Sequence, residues 1–127
     1  MKISEVSKKY DVPVDTLRYY EKAGLLPNVH KNSSGIRDYT ETDCGWVEFI
    51  KCMRSAGLPI EVLKEYIELF NMGDSTIEAR RQILISERKK LIEKRDAIQT
   101  TIDRLDYKID IYYNSLINKQ KEMVKVK

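Results

Sequence analysis

The chain has 127 residues, of which 42% are hydrophobic and 34% are charged, and it contains two cysteines. This length suits one domain, or a compact head with an appendage. No apolar run approaches the roughly 18 residues that a membrane span needs, the first residues do not resemble a signal peptide, and two cysteines do not make a disulfide framework, so we expect a cytoplasmic protein.

The formal net charge of +3 is weak evidence for a nucleic-acid partner, because the charges are unevenly placed. Residues 1–73 contain ten Lys or Arg and eleven Asp or Glu, whereas residues 74–127 contain thirteen and nine. A DNA-binding function would therefore depend on where individual cationic side chains lie in the fold, and not on bulk charge.

Two short helices are predicted at the start of the chain. Apolar residues at positions 3, 6 and 10 have helical spacing, and Asp11-Val12-Pro13 interrupts the pattern. A second helix is predicted from near Val14 to Gly24, a natural helix terminator. Two short helices joined by a turn of about three residues are typical of a helix-turn-helix, although helical hairpins with other functions have the same periodicity.

Residues 27–40 lack helical periodicity and are predicted to form a β-hairpin, which we call the wing. Residues 32–35, with the sequence Asn-Ser-Ser-Gly, are typical of a turn. Residues 36–39 alternate like a short strand. The wing therefore directly follows the two helices.

A third and a fourth helix are predicted to complete the head. Thr40, with Asp43 three residues later, resembles a capping box that begins the third helix, which extends to about Ala56. One apolar stripe then indicates a fourth helix that ends at Gly73. The expected fold class is mainly α: a winged helix-turn-helix head over residues 1–73, with four helices and a small β-hairpin, followed by a long coiled-coil helix.

After residue 73 no further glycine or proline occurs. Apolar residues recur every seven positions, and a second row joins them in alternate steps of four and three, which is the heptad pattern of a coiled coil. A helix over residues 74–117 would be about 65 Å long at roughly 1.5 Å per residue, too long to bury its seam against a small head. We therefore expect a homodimer, and residues 118–127 are predicted to form a basic, disordered tail. The predicted dimer interface consists of Ile77, Leu84, Leu91, Ile98, Ile102, Leu105, Ile109, Tyr112 and Leu116.

Cationic and hydroxyl-bearing side chains gather in the second helix, in the wing and at the end of the third helix. An arginine with hydroxyl-bearing neighbours can grip phosphates and reach base edges. Each of these residues, taken singly, is more typical of an ordinary surface position, and it is their shared location that favours DNA binding. The candidate DNA-binding residues are Thr16, Arg18, Tyr19, Tyr20, Lys31, Arg37, Tyr39 and Arg54.

Five motifs occur in an order that is typical of one family. They are Ile3-Ser4-Glu5-Val6, Thr16-Leu17-Arg18-Tyr19-Tyr20-Glu21, Gly24-Leu25-Leu26, Gly35-Ile36-Arg37-Asp38-Tyr39 and the stretch from Phe49-Ile50 to Gly57-Leu58. Together with the heptad helix that follows, they resemble the MerR family of bacterial regulators. Two positions depart from the family pattern: Ile36 stands where a tyrosine is usual, and Pro13 stands where Ser or Thr often caps the second helix.

The resemblance implies a second helix that enters the major groove of DNA and an antiparallel coiled-coil dimer. It also implies a near-palindromic operator between widely spaced promoter elements, which the activated dimer bends and untwists so that RNA polymerase meets both in register. The positions that match DNA-contacting residues of the family are Arg18, Tyr20, Arg37, Tyr39 and Arg54, and Tyr19 and Lys31 are added to them here.

No cofactor and no metal site are predicted. A soft-metal site needs two or three Cys or His ligands, but no cysteine follows Cys52 and the one histidine is His30. Cys44 and Cys52 are eight residues apart on one helix, about 12 Å along its axis, and cannot form a disulfide without unfolding it. Cys44 lies in line with apolar residues of the same helix and is expected to be a buried structural thiol.

Cys52 is the candidate sensor thiol. It lies close to Lys51 and Arg54, and cationic neighbours favour the reactive thiolate. The surrounding stretch resembles the branch of the family that responds to aldehydes and nitrosative stress, which implies that an electrophile modifies this cysteine. A structural thiol at position 52, with some other trigger, is the alternative.

Two functions of another class compete with DNA binding. A thiol enzyme would need a base near its cysteine, and His30 stands in the wing without an evident carboxylate partner, so we expect no enzyme. A coiled-coil adaptor that binds protein would explain the heptads but not the Arg18-Tyr19-Tyr20 string with its wing.

Overall fold

The computed structural model describes the backbone of residues 1–126 and the side chains of residues 1–121. Within this range the chain is mainly helical. It divides into two compact units, Met1–Glu87 and a second unit that begins at Arg88. No helix in the described part is long and apolar enough to cross a membrane.

The first two helices form the predicted helix-turn-helix. Helix α1 comprises Ile3–Tyr10, and helix α2 comprises Val14–Lys22. Between them Asp11 adopts a left-handed conformation, with φ 53°, which ends α1. Pro13 occupies the position before the first residue of α2 and leaves that helix intact, as a proline can at the start of a helix.

The wing is a tight turn with a single β-bridge between Lys31 and Arg37. The side-chain oxygen of Asn32 accepts hydrogen bonds from the backbone N–H groups of Ser34 and Ile36. Gly35, with φ 77°, supplies the left-handed conformation that the turn requires. The predicted hairpin is therefore reduced to its turn and one bridging pair.

Helix α3 comprises Glu41–Ser55 and begins with the predicted capping box. The Asp43 N–H donates to Thr40 Oγ1 at 3.2 Å, and the Thr40 N–H donates to the Asp43 carboxylate at 3.0 Å. Helix α4 comprises Ile60–Asn71. The core of the head contains fully buried aliphatic side chains from all four helices, each of which stabilises the fold by roughly 1.5–3 kcal/mol. They include Val6, Leu17, Val47, Ile50, Leu63 and Ile67.

The head extends beyond the predicted boundary at residue 73, because the start of the next helix is anchored to the end of α4. After a single 3₁₀ turn, Asp74–Thr76, helix α5 comprises Ile77–Asp106. The Thr76 hydroxyl lies 2.6 Å from the carbonyl oxygen of Leu69. The Arg80 guanidinium lies 5.3 Å from the centre of the Phe70 ring, a cation–π contact. These contacts place residues 74–87 in the same compact unit as the head.

The second unit is helical to the last described residue. A π-helical segment, Tyr107–Tyr113, follows α5, and helix α6 comprises Asn114–Val126. The prediction of a disordered tail over 118–127 is therefore wrong for residues 118–126, while Lys127 lies outside the described residues. Lys, Gln, Glu and Met are good helix formers, and no glycine or proline interrupts them.

Candidate nucleic-acid interface

Helix α2 presents two of the predicted DNA-binding side chains to solvent. Arg18 is exposed and lies 3.7 Å from the carboxylate of Asp15, one turn earlier. Tyr19 is about half exposed, and Thr16 is partly buried. Leu17 is fully buried, so the helix divides its faces as expected. An exposed ion pair of this kind holds Arg18 only weakly, which leaves its guanidinium able to exchange Asp15 for a phosphate.

Tyr20 lies deeper than predicted. Its side chain is 8% exposed, because one turn of α2 places it on the same side as Leu17. Burial raises its pKa, and the nearby charge of Arg54 opposes that effect. Tyr20 therefore packs as part of the head core, and any contact with DNA would involve only a small part of its surface.

The wing is joined to α2 by an ion pair. Nε of Arg37 donates a short hydrogen bond to a carboxylate oxygen of Glu21, and the two side chains are 44% and 22% exposed. Lys31, across the bridge from Arg37, is exposed. Glu21 was not among the predicted site residues, since an acidic residue is not expected at a phosphate-binding surface. Its part is to hold the arginine, which brings Lys31 and Arg37 together beside the helix.

Tyr39, which was predicted to contact DNA from the surface, is buried in this structure. The side chain is 2% exposed, and its hydroxyl has no hydrogen-bond partner among the described residues. Burial raises its pKa. Its backbone N–H donates to the carbonyl of Met1, which pins the end of the wing against the start of the chain. Alternation over residues 36–39 predicts that Tyr39 and Asp38 lie on opposite faces. In the structure Asp38 is exposed and Tyr39 faces the core.

Arg54 is exposed and supports the junction of α3 and α4. Its Nη1 donates to the carbonyl oxygen of Leu58 at 2.8 Å. This contact satisfies a carbonyl in the turn between the two helices, while the remaining N–H groups of the guanidinium stay accessible to a phosphate.

Asp43 has a second set of contacts that the sequence did not reveal. Its carboxylate is 5% exposed, and the oxygen that caps α3 also accepts from the His30 backbone N–H at 3.3 Å and lies 2.9 Å from His30 Nδ1. Burial alone would raise the pKa of Asp43, but hydrogen bonds from Thr40 and His30 lower it below its ordinary value. His30 therefore does have a carboxylate partner, contrary to expectation. The capping pattern predicts the contact of Asp43 with Thr40. No local pattern in the sequence predicts its contact with His30, which lies thirteen positions earlier.

The two cysteines differ in accessibility. Cys44 is 5% exposed, as predicted for a structural thiol, whereas Cys52 is exposed. Cys52 lines a surface depression of about 470 Å³ between the end of α1 and α3. Lys51 spans this depression and donates from Nζ to the carbonyl of Tyr10. The other lining residues are Lys9, Asp11, Glu48 and Ser55.

The described side chains contain no group of three or more His, Cys, Asp or Glu that could hold a metal ion.

Most predicted dimer-interface positions are exposed in the single chain. Ile98 and Ile109, for example, are 60% and 59% exposed, and Leu91 is the one of intermediate exposure. A row of Ile, Leu and Tyr side chains along α5 and the two helical segments that follow it is thus left in contact with solvent.

Comparison with family models gives two matches. Residues 1–69 match the model described as "MerR HTH family regulatory protein", and residues 45–107 match "MerR, DNA binding". The two matches overlap and together cover both the head and all of α5. Each of them spans about half of the chain.

Individual relatives agree with the family models. The chain is 57% identical over 93 residues to the HTH-type transcriptional regulator AdhR of Bacillus subtilis (strain 168), which covers 73% of this chain and 66% of that protein, just under two thirds of its length. It is 32% identical to the HTH-type transcriptional regulator YyaN of the same organism, over 90% of this chain and 91% of that one.

Two solved structures extend the similarity to three dimensions. A MerR family transcriptional regulator from Listeria monocytogenes superimposes with a TM-score of 0.94 at 44% identity, covering 99% of this chain and 96% of the other. HiNmlR, described as a MerR family regulator lacking the sensor domain and bound to promoter DNA, has a TM-score of 0.77 at 30% identity, with coverages of 91% and 92%. The similarity thus reaches both units of the chain.

Proposed function

The chain belongs to the MerR family of DNA-binding transcriptional regulators, and from this premise we propose that it acts as a homodimer on promoter DNA in the cytoplasm, switched by modification of Cys52. The observation that carries the DNA-binding part is the position of exposed Arg18 on α2 together with Lys31 and Arg37 in the wing. Helix α2 is the recognition helix of this proposal.

The recognition helix would enter the major groove. Arg18 and Tyr19 are the side chains best placed to reach base edges, since both are exposed while Leu17 between the helices is buried. Lys31 and Arg37 would grip phosphates beside the groove and fix the register of the head. Arg54 would add a phosphate contact from the junction of α3 and α4.

Dimerisation is supported by the solvent-exposed row along the helix. Burying a Leu or Ile side chain stabilises an assembly by roughly 1.5–3 kcal/mol. Because Ile98, Leu105 and Ile109 are exposed in the single chain, association that buries them is favourable. A second copy supplies an identical row, and the family resemblance favours an antiparallel pair. Two heads then meet two half-sites of a near-palindromic operator.

Promoter activation would use the energy of DNA deformation. Two heads held at a fixed distance by a stiff helix pair can bend and untwist the duplex between them, at a cost of roughly 1–6 kcal/mol. The deformed promoter would present both of its elements in register to RNA polymerase. A change in the angle of the heads would therefore change transcription without releasing the DNA.

Cys52 is proposed as the point of control. Its thiol is exposed in the depression that Lys9 and Lys51 also line, so an electrophile can reach it from solvent. In a reaction with an aldehyde, a bond forms between Sγ and the carbonyl carbon, the carbon–oxygen π bond breaks, and the thiol proton ends on the oxygen. The added bulk would lie between α1 and α3, two residues from Arg54.

The competing functions have less support. The depression around Cys52 is not lined by His30, so a thiol enzyme would lack a histidine base beside its cysteine. A protein-binding adaptor would not need the exposed arginine on α2 or the wing. A DNA-binding regulator with a trigger other than Cys52 remains the alternative within the family.

Footprinting on the DNA upstream of the protein's own coding region, with and without formaldehyde, tests the whole proposal. We expect protection of a near-palindromic site in both conditions and new hypersensitive positions at its centre after exposure to the aldehyde. Cys52→Ser should keep the protection and lose the new positions. Absence of any protected site would remove the DNA-binding proposal, and a full aldehyde response in Cys52→Ser would remove the cysteine from the switch.

A further inference from the structure

We propose that Asp43 is a positioning residue for DNA binding: one of its carboxylate oxygens ties the first and last parts of the wing together and thereby fixes the wing's cationic side chains. This inference rests on the proposed function, in which Lys31 and Arg37 contact phosphates. It assigns to Asp43 a part beyond that of capping a helix.

The geometry joins both ends of the wing at one atom. Oδ2 of Asp43 accepts from the Thr40 N–H at 3.0 Å, at the end of the wing. The same oxygen accepts from the His30 N–H at 3.3 Å and lies 2.9 Å from His30 Nδ1, at the beginning of the wing. Residues 30 and 40 are therefore held to a single point beneath the loop that carries Lys31 and Arg37.

A buried carboxylate suits this task. Hydrogen bonds to a charged acceptor are shorter and roughly twice as strong as those between neutral groups. The side chain of Asp43 is 5% exposed, so water competes little for its oxygen, whereas the His30 ring is mostly exposed. The carboxylate thus anchors the wing from inside the head, and the imidazole covers it from outside.

The wing needs such an anchor because it has little structure of its own. Its internal ties are one β-bridge, the turn bonds to Asn32, and the Asp38 N–H donating to the His30 carbonyl at 2.7 Å. Each residue that is ordered only on binding costs free energy that would otherwise appear as affinity. A wing fixed at both ends meets the DNA already in place.

The cap of α3 does not require the contacts between Asp43 and His30. The capping box of α3 consists of Thr40 and Asp43, and it would be complete without any residue from the start of the wing. Thr40→Ala therefore offers a matched control. It removes the hydroxyl that caps α3 and leaves the Asp43 contacts with the Thr40 N–H and with His30.

The test compares the salt dependence of binding to a labelled duplex carrying the protein's own upstream sequence. Each phosphate contact contributes about −0.9 to the slope of log affinity against log salt, so loss of both wing contacts in Asp43→Ala should make the slope less negative by about 1.8. Thr40→Ala should lower the melting temperature and keep the wild-type slope. A slope in Asp43→Ala equal to the wild type would overturn the inference.

A double substitution separates this inference from the proposed function. The double variant Lys31→Ala/Arg37→Ala should make the salt slope less negative by the same amount as Asp43→Ala. Adding Asp43→Ala to the double variant should change the slope no further. If the pair reduces the slope and Asp43→Ala does not, only the positioning part is lost. If the pair itself leaves the slope unchanged, the wing does not contact DNA. The inference then fails together with the part of the proposed function that assigns phosphate contacts to Lys31 and Arg37. If Asp43→Ala does not fold, the test uses Asp43→Asn, which keeps an oxygen for the Thr40 N–H. A salt slope between those of the wild type and the double variant would support the inference, and the wild-type slope would overturn it.

Discussion

Nε of Arg37 in the wing donates its hydrogen to the carboxylate of Glu21 near the end of α2. The contact uses one N–H of the guanidinium and leaves the terminal Nη groups for another acceptor. The proposed phosphate-binding surface can therefore contain an acidic residue, because Glu21 orients the arginine that would do the binding. A lysine would carry the same charge. It has no planar guanidinium, however, with which to bind Glu21 through one N–H and a second acceptor through the others.

Arg37→Lys should weaken DNA binding by up to about fivefold, corresponding to roughly 1 kcal/mol, while the salt slope stays close to that of the wild type. Arg37→Ala removes the charge as well and should make the slope less negative by about 0.9. Fluorescence anisotropy over a range of salt concentrations measures both quantities. Equal affinities for the wild type and Arg37→Lys would show that the pairing with Glu21 contributes nothing to binding.

Tyr39→Phe should leave DNA affinity unchanged and leave stability unchanged or raise it by up to about 1 kcal/mol. The hydroxyl is buried without a partner among the described residues, so its removal takes away an unsatisfied polar group. Tyr19→Phe, at an exposed tyrosine of α2, is the matched control and should weaken binding. Loss of affinity in Tyr39→Phe would restore the DNA contact that the sequence pattern suggested.

The sequence was informative where structure is local. Helical spacing, the Thr40–Asp43 capping box and the Asn-Ser-Ser-Gly turn all depend on neighbours within four residues, and the structure contains each of them. The heptad row also follows from local spacing, and the structure leaves it exposed along the helix.

Non-local contacts were beyond the reach of these patterns. The burial of Tyr39, the pairing of Glu21 with Arg37 and that of Asp43 with His30 join positions that no periodicity relates. The same motif that marks Arg37 as a site residue also contains Tyr39, and only packing separates the two. The tail was misjudged for another reason: its charge suggested disorder, while its residue types favour helix.

The stability of the head should fall in acid partly through Asp43. The hydrogen bonds of Thr40 and His30 outweigh burial and hold its folded-state pKa below the ordinary value near 3.8. The ionised carboxylate therefore stabilises the fold above that value, and this stabilisation is lost as the pH falls through the folded-state pKa.

Asp43→Asn should accordingly be less stable than the wild type by roughly 1–3 kcal/mol at neutral pH. The difference should shrink as the pH falls below the ordinary pKa of 3.8. Urea unfolding at a series of pH values measures the difference between the two proteins, in which the contributions of the other carboxylates cancel. A gap that stays constant down to the most acidic point would mean that folding does not lower the pKa of Asp43.

Ile102→Lys should disrupt the dimer. Two unpaired ammonium groups would enter each interface, which should raise the dimer dissociation constant on the order of 100-fold. Thr100→Lys introduces the same charge off the predicted row, beside Asp96 and Asp103, and should leave dimerisation unchanged. Sedimentation velocity over a range of protein concentrations distinguishes the two. A wild-type chain that stays monomeric at every concentration would remove the basis of the dimer proposal.

Alkylation rates provide the most direct view of the two thiols. In the folded protein Cys52 is exposed, so iodoacetamide should reach it freely, whereas Cys44 is buried and should react at least about 100-fold more slowly, through local opening of the head. Cys44→Ala should still take up one label quickly, and Cys52→Ser should take up its one label slowly until urea unfolds it, as followed by mass spectrometry. If Cys52 reacted as slowly as Cys44, an electrophile could not reach it within the folded head, and some other group would have to receive the signal.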